Sequence, residues 1–307
     1  MAQMKALIKE GDSLYLSLLP IPQPAPNEVL IKVKMVGLCR TDIAIMQNQI
    51  KTISPLIPGH EFSGELIACG KHVDTFSAGQ RVTVNPLISC QKCHFCKKNM
   101  LHLCQTPQFM GLDCHGAFAE YVCVPEHAVY LLPDGIEWKT AAYAEPIAAS
   151  LAVLKTPITQ KMKGWVYGEG RIAKLTYQIM KHNGFHRLEM GLTPQGTDFD
   201  FVIETTSDPQ MFHTILERII PQGHLILKSR SIEEVLLPIG ALVKKEIQLH
   251  AVYYAKFEKA VTLLKELSLG PLLGQVYDFS DYQKMLNVAA QGENKKLFLR
   301  IDSCAVS

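Results

Sequence analysis

Four cysteines in one short loop, Cys90-x2-Cys93-x2-Cys96-x7-Cys104, constrain this chain more than any other feature of its sequence. Thiolates at that density satisfy the tetrahedral preference of zinc without help from water, which describes a closed, structural site. The alternative, four unrelated buried thiols, sits poorly with such regular spacing. A complete set needs neither His94 nor His102 of the same lobe, so both read as surface residues. The chain holds nine cysteines in 307 residues. The first residues, through Leu16, lack a signal-peptide core, and charged residues, Gly or Pro interrupt every apolar run before it reaches membrane length. The expectation is a cytoplasmic protein without a membrane partner, whose cysteines bind metal rather than pair as disulfides.

Composition excludes little else. Hydrophobic residues make up 48% of the chain, enough for two cores. Lys and Arg total 31 against 29 Asp and Glu, so no basic surface suggests a nucleic-acid partner.

Along the chain, Met4–Ile8, Glu28–Val36, Gly64–Cys69, Arg81–Val84 and Phe118–Val124 read as short strands punctuated by Gly and Pro, as in an irregular barrel. The pattern changes near Thr140. Ala141–Leu154 has helical spacing, and Gly164–Tyr167 reads as a strand. Arg171–Lys181 reads as a helix closed by Asn183-Gly184. Phe199–Glu204, His224–Lys228 and Ile247–Tyr254 read as further strands, with helices at Met211–Ile219 and Phe257–Leu267. Strands alternating with helices predict a parallel sheet. The fold class is α/β, a β-rich module followed by an α/β module and a mixed tail.

Two more motifs carry chemistry. Gly37-Leu38-Cys39-Arg40-Thr41-Asp42 is followed some twenty residues later by Gly59-His60-Glu61. Cys, His and a carboxylate can hold zinc with one position open, where an alcohol oxygen is polarised. The hydroxyl of Thr41 beside it can take the proton away. Gly168-Glu169-Gly170-Arg171-Ile172-Ala173 follows a predicted strand and opens a predicted helix. There the glycines of a dinucleotide fingerprint let a pyrophosphate approach the helix N-terminus. Glu169 adds a negative charge near that pyrophosphate, which Arg171 offsets.

With these residues in place, the chain resembles the zinc-containing medium-chain dehydrogenase/reductases, the family of alcohol, sorbitol and threonine dehydrogenases. The match runs through Gly59-His60-Glu61-x2-Gly64-x5-Gly70-x2-Val73, the four-cysteine lobe, Gly116-Ala117-Phe118-Ala119-Glu120-Tyr121 and Glu145-Pro146. The resemblance implies a GroES-like catalytic domain over 1–146, a Rossmann-type doubly wound domain over 147–254, and a return to the catalytic domain over 255–307. It implies a catalytic zinc on Cys39 and His60, completed by Glu61 or Glu145, beside a structural zinc on Cys90, Cys93, Cys96 and Cys104. Thr41 matches the family's proton relay, and Arg40 a position that meets the cofactor pyrophosphate together with Gly168, Gly170, Arg171 and Ala173. The implied activity is hydride exchange between a small alcohol or polyol, or the matching carbonyl, and NAD or NADP, in a homodimer or homotetramer. Ala44 departs from the pattern, since some members carry a His there.

A larger departure lies in the nucleotide-binding half. The acid expected ~20 residues past the first glycine is replaced by Gly191-Leu192-Thr193, and Glu189 falls within the strand before it. Phe199–Glu204 then begins without room for a helix and third strand. The expectation is a domain shortened on the adenosine side, binding cofactor loosely and choosing weakly between NAD and NADP. That shortening also keeps open a non-catalytic relative, a zinc-bearing binding or scaffold protein.

Overall fold

The computed structural model describes residues 2–206, 208, 211–230 and 234–301. They divide into two compact units. The first holds 1–145, 257–266 and 273–307 within its bounds, the second 146–256 and 267–272.

The first unit is built on a mostly antiparallel sheet. Its path runs Leu273–Asp278, Lys296–Arg300, Glu28–Gly37, Glu61–Cys69, Arg81–Val84, Val129–Leu131, and Tyr121–Pro125 also pairs with Glu28–Gly37. Gln3–Glu10 and Ser13–Pro20 form a separate hairpin. The long strand Glu28–Gly37 buries Val29, Ile31, Val33 and Val36 in a core that also takes Phe62, Leu66, Phe118 and Leu299. Two expectations need correction here. The strand predicted to start at Phe118 starts at Tyr121. The residues before it are drawn off to pair with the segment below His60: Gly116 donates to the Ile57 carbonyl at 2.6 Å, Ala117 to Gly59 at 2.9 Å and Phe118 to Pro58 at 3.0 Å. The single helix predicted over Ala141–Leu154 is broken into Trp138–Ala141, Ala144–Leu151 and a 3-10 turn, Ala152–Lys155. Pro146 falls in the first turn of the middle piece, where its missing N–H costs no hydrogen bond.

The second unit is a five-stranded parallel sheet in the order Leu188–Gly191, Gly164–Tyr167, Phe199–Glu204, Ile219–Leu227, Gln248–Ala251. Successive residues of a strand face opposite sides, and both sides here are apolar. Val166, Phe201, Ile203 and Ile226 pack with Ala173 and Met180 of the helix Arg171–His182. Trp165, Val202 and Leu225 pack with Met211, Phe212, Ile215 and Leu216 of the helix Met211–Arg218. The sheet is therefore covered on both faces, as the doubly wound reading requires. The predicted strand Ile247–Tyr254 is paired only over Gln248–Ala251, an edge position with no ladder beyond it among the described residues.

The shortening is visible in the topology. Leu188–Gly191 and Phe199–Glu204 flank Gly164–Tyr167, and no helix or strand lies among residues 192–198 between them. A helical crossover takes a dozen residues or more, but a bare chain needs fewer. Crossing two strand spacings (~10 Å) and returning five residues (~17 Å) is a diagonal of ~19 Å; seven extended residues reach ~24 Å. Glu189 pins this short connection, its carboxylate accepting from Gln195 N at 2.8 Å and Gly196 N at 3.1 Å. With no strand beyond it among the described residues, Leu188–Gly191 is the other edge of the sheet.

Candidate active site and metal centres

Cys39 is the N-cap of the helix Arg40–Met46, and His60-Glu61 lies where the chain enters the strand Glu61–Cys69. Register sets Gly37 opposite Glu61 on adjacent strands, so the two motifs meet at one end of the sheet. One ligand atom each from Cys39, His60 and Glu61 lies within 4.8 Å of the others. His60 and Glu61 are both 2% exposed.

Asp42 joins the two motifs. It is fully buried, and its carboxylate accepts from Cys39 N at 2.8 Å and from Gly59 N at 3.1 Å. The same carboxylate stands 3.3 Å from Nδ1 of His60, close enough to pair electrostatically although the ring is turned off the hydrogen-bond direction. Burial works against a charge on His60, but Asp42 and then Cys39 outweigh it and hold its pKa well above the ordinary 6.5. The pocket thus favours a positive charge among these side chains, which a metal cation supplies as readily as a proton.

A second buried partner is Lys296, whose ammonium meets the Glu61 carboxylate with both side chains almost fully enclosed. Lys296 opens the strand Lys296–Arg300, on the far side of Gly37 from Glu61. A Cβ on residue 37 would lie 2.7 Å from Cε of Lys296 and 3.2 Å from Oε2 of Glu61. Only glycine lets the pair close over the intervening strand. Burial pushes the Glu61 carboxyl pKa up, Lys296 pulls it back, and the charge of Glu145 pushes it up again; the outcome is a raised value. Glu145 is itself buried, in the first turn of the helix Ala144–Leu151, but it stands outside the tight group of three.

These residues fit a metal ion. A soft sulfur, an imidazole and a carboxylate converge in a buried pocket, one ligand atom of each within 4.8 Å of the others, which is the donor chemistry of a zinc site. The Thr41 hydroxyl lies 3.7 Å from the Cys39 sulfur and is partly exposed; Arg40 beside it is exposed, and Ala44 is buried.

The four-cysteine loop closes on itself. Cys93 and Cys96 sulfurs are 3.4 Å apart, those of Cys90 and Cys96 are 4.0 Å apart, and the Cys90 amide donates to the Cys104 sulfur at 3.2 Å. All four ligand atoms fall within 4.8 Å of one another. The Lys92 amide leads the hydrogen bonds that bring the Cys90 thiol down to about 6, whereas burial lifts Cys96 to about 12. One thiol is thus ready to ligate as a thiolate and another waits for the cation to deprotonate it. His94 is exposed and His102 partly so.

In the second unit, the strand Gly164–Tyr167 leads through Gly168-Glu169-Gly170 into the helix Arg171–His182, with Gly170 as N-cap and Ala173 buried. A Cβ on Gly168 would strike the Thr205 hydroxyl, and one on Gly170 would meet nothing within 4 Å. The open side of the turn suits a pyrophosphate at the helix N-terminus.

Sequence reading gave no role to Asp42, although it lies in the motif around Cys39, and did not bring out Lys296. The i+3 carboxylate after Cys39 was a usable signal for Asp42, as a capping-box acid. Lys296 has no local signal.

Residues 25–134 match the family described as "Alcohol dehydrogenase GroES-like domain". An L-threonine 3-dehydrogenase of Legionella pneumophila subsp. pneumophila is 26% identical, over 96% of this chain and 99% of its own length. That alignment spans 340 positions, more than the 307 residues of this chain, so the relative carries segments that are missing here. By fold the chain is similar to a zinc-binding dehydrogenase of Sinorhizobium meliloti 1021 bound to NADP (TM-score 0.89, 22% identity, covering 98% of this chain and 100% of that one). It is also similar to an alcohol dehydrogenase of Escherichia coli CFT073 complexed with NADH (TM-score 0.88, 22% identity, 97% and 99%). With its metal-ligand geometry and its doubly wound second unit, the chain is similar to zinc-type dehydrogenases over nearly its whole length.

Proposed function

We propose that this chain is a dehydrogenase that exchanges a hydride between a small alcohol or polyol, or the matching carbonyl, and NAD(P), using Cys39, His60 and Glu61 to hold its catalytic metal. The observation that carries the reading is the buried convergence of those three donors beside the Thr41 hydroxyl. Zinc held there would supply a Lewis acid for the substrate oxygen, and a bound nicotinamide would supply the hydride chemistry.

The chain's own residues do the rest. Asp42 fixes His60 and the Cys39 amide together, so the ligand set is held before a metal arrives. Lys296 holds the Glu61 carboxylate, and the charge of Glu145 acts on the same carboxylate. Thr41 moves the substrate hydroxyl proton outward; with Ala44 three residues on, that proton passes to water. The turn from Gly168 through Gly170, with Arg171 and Ala173, serves the pyrophosphate. The four cysteines Cys90, Cys93, Cys96 and Cys104 hold a second, structural zinc.

We place the protein in the cytoplasm; the eight described cysteines are all free, which suits a reducing compartment. Among the described residues no helix is long and apolar enough to cross a membrane. A homo-oligomer is part of the proposal: the edge strand Gln248–Ala251 is accompanied by Leu236, Ile239 and Val243, which are 91%, 66% and 70% exposed.

The test is a panel of alcohols and carbonyls assayed for NAD(P)H formation and consumption, with elemental analysis of the same preparation. Two zinc ions per chain and turnover with at least one secondary alcohol are expected. Protein that carries both metals, binds cofactor and turns over nothing in a broad panel defeats the reading.

A further inference from the structure

The strand Leu188–Gly191 ends where a dinucleotide-binding fold places the acid that grips the adenosine ribose. In this chain the place belongs to Gly191, at φ +137°, a backbone conformation that residues with side chains rarely adopt. No side chain can be restored there cheaply. The sequence alone therefore points to a vacant ribose site and an unselective one.

The tertiary structure points the other way. The phosphate-binding turn and the strand end are fastened together: Gly168 N donates to the Gly191 carbonyl at 3.3 Å, and Nε1 of Trp165 donates to the same oxygen at 2.9 Å. Glu169, the exposed residue between the two glycines, therefore leans over the strand end. Its Oε1 lies 3.9 Å from the point that a Cβ of residue 191 would occupy. A carboxylate is thus present beside the place where the family fold has one, delivered from the adjacent turn.

The surroundings offer little to a phosphate. Gly191, Leu192, Thr193 and Pro194 bring no cation. Among the described residues, two cations bond to the short connection, both at its far end: Lys163 to the Thr197 carbonyl at 2.6 Å and Arg218 to the Gly196 carbonyl at 3.2 Å. Glu189, the other acid nearby, is committed to the Gln195 and Gly196 amides. Arg171 follows in the first turn of the helix, where the reading above assigns it to the pyrophosphate.

We propose that Glu169 takes over the role of the missing strand-end acid, accepting hydrogen bonds from the ribose hydroxyls of NAD and repelling the 2′-phosphate of NADP. This inference rests on the dehydrogenase reading above and makes the chain NAD-selective despite its shortened domain. Glu169 is then a specificity-determining residue.

The experiment is titration of purified full-length protein with NADH and with NADPH, followed by calorimetry, for the wild type, Glu169→Gln and Glu169→Ala. The wild type is expected to bind NADH at least tenfold more tightly than NADPH. Both variants should weaken NADH roughly tenfold or more, the worth of a hydrogen bond to a charged group, while NADPH holds or improves. Unchanged melting temperatures, expected for so exposed a residue, show that the fold is intact. Equal binding by the wild type, or a ratio that neither variant moves, overturns the assignment of Glu169. A wild type that binds neither cofactor removes the dehydrogenase reading as well, so the two failures are told apart.

Discussion

Removing the ammonium of Lys296 should expose how much of the catalytic pocket depends on charge compensation. In Lys296→Met the side chain keeps its length and its packing against Gly37 but loses the charge. Lys296 and Glu61 side chains are 3% and 2% exposed, so water cannot replace the lost partner. Breaking a buried ion pair by removing one member costs about 3–5 kcal/mol, because the other charge is left uncompensated. At ~2–4 °C per kcal/mol for a unit of roughly 200 residues, the metal-free variant should melt ~6–20 °C below the wild type. A divalent ion on Cys39, His60 and Glu61 offers the carboxylate a new counter-charge, so the zinc-loaded variant should recover much of the loss. The assay is calorimetric or circular-dichroism melting of both proteins, stripped with chelator and reloaded with one metal at a time. A stripped variant that melts within ~2 °C of the stripped wild type would refute the idea that Lys296 neutralises Glu61 in the fold. A loss of equal size with and without zinc would refute the idea that Glu61 faces the metal.

Three other outcomes are expected. Thr41→Val should lower kcat by ~10²–10⁴-fold, the usual worth of a general acid–base step, with two zinc ions still found by elemental analysis; wild-type turnover at neutral pH would end the relay assignment. Cys104→Ser should release one zinc per chain and open the loop from Cys90 to Cys104 to limited proteolysis, since structural zinc contributes folding energy directly; a variant as resistant as the wild type would speak against a structural site. Burial, and then its neighbour His250 at 3.0 Å, holds the pKa of His224 below 6.5. A histidine depressed in the folded state gives stability that is full above its unfolded value and is lost as pH falls through the folded one. Urea midpoints of the wild type should therefore decline as pH falls below about 6.5, and His224→Asn should flatten that decline; parallel pH profiles would exclude the pair as a source of acid lability.

The sequence by itself determined whatever depends on near neighbours in the chain. Metal-ligand spacing is local, so the lobe from Cys90 to Cys104 and the motifs around Cys39 and His60 were legible as metal chemistry. The alternation of buried strands and helices was legible for the same reason, down to Arg81–Val84, Gly164–Tyr167 and Phe199–Glu204, whose predicted bounds match the strands. Even the shortening of the second unit could be counted from the residues between Gly191 and Phe199. Less legible were elements whose state is set by distant partners. Phe118 and its neighbours have strand-forming side chains, yet they bond to Pro58 and Gly59. What only the tertiary structure decided was the company each charge keeps. Lys296 lies more than two hundred residues from Glu61 in the chain, and they meet only because their strands lie on either side of Gly37. Glu169 looked like an unwelcome charge beside a pyrophosphate until the turn that carries it was seen fastened to Gly191. Burial and long-range pairing fix the meaning of a charged side chain, and neither is written in the residues next to it.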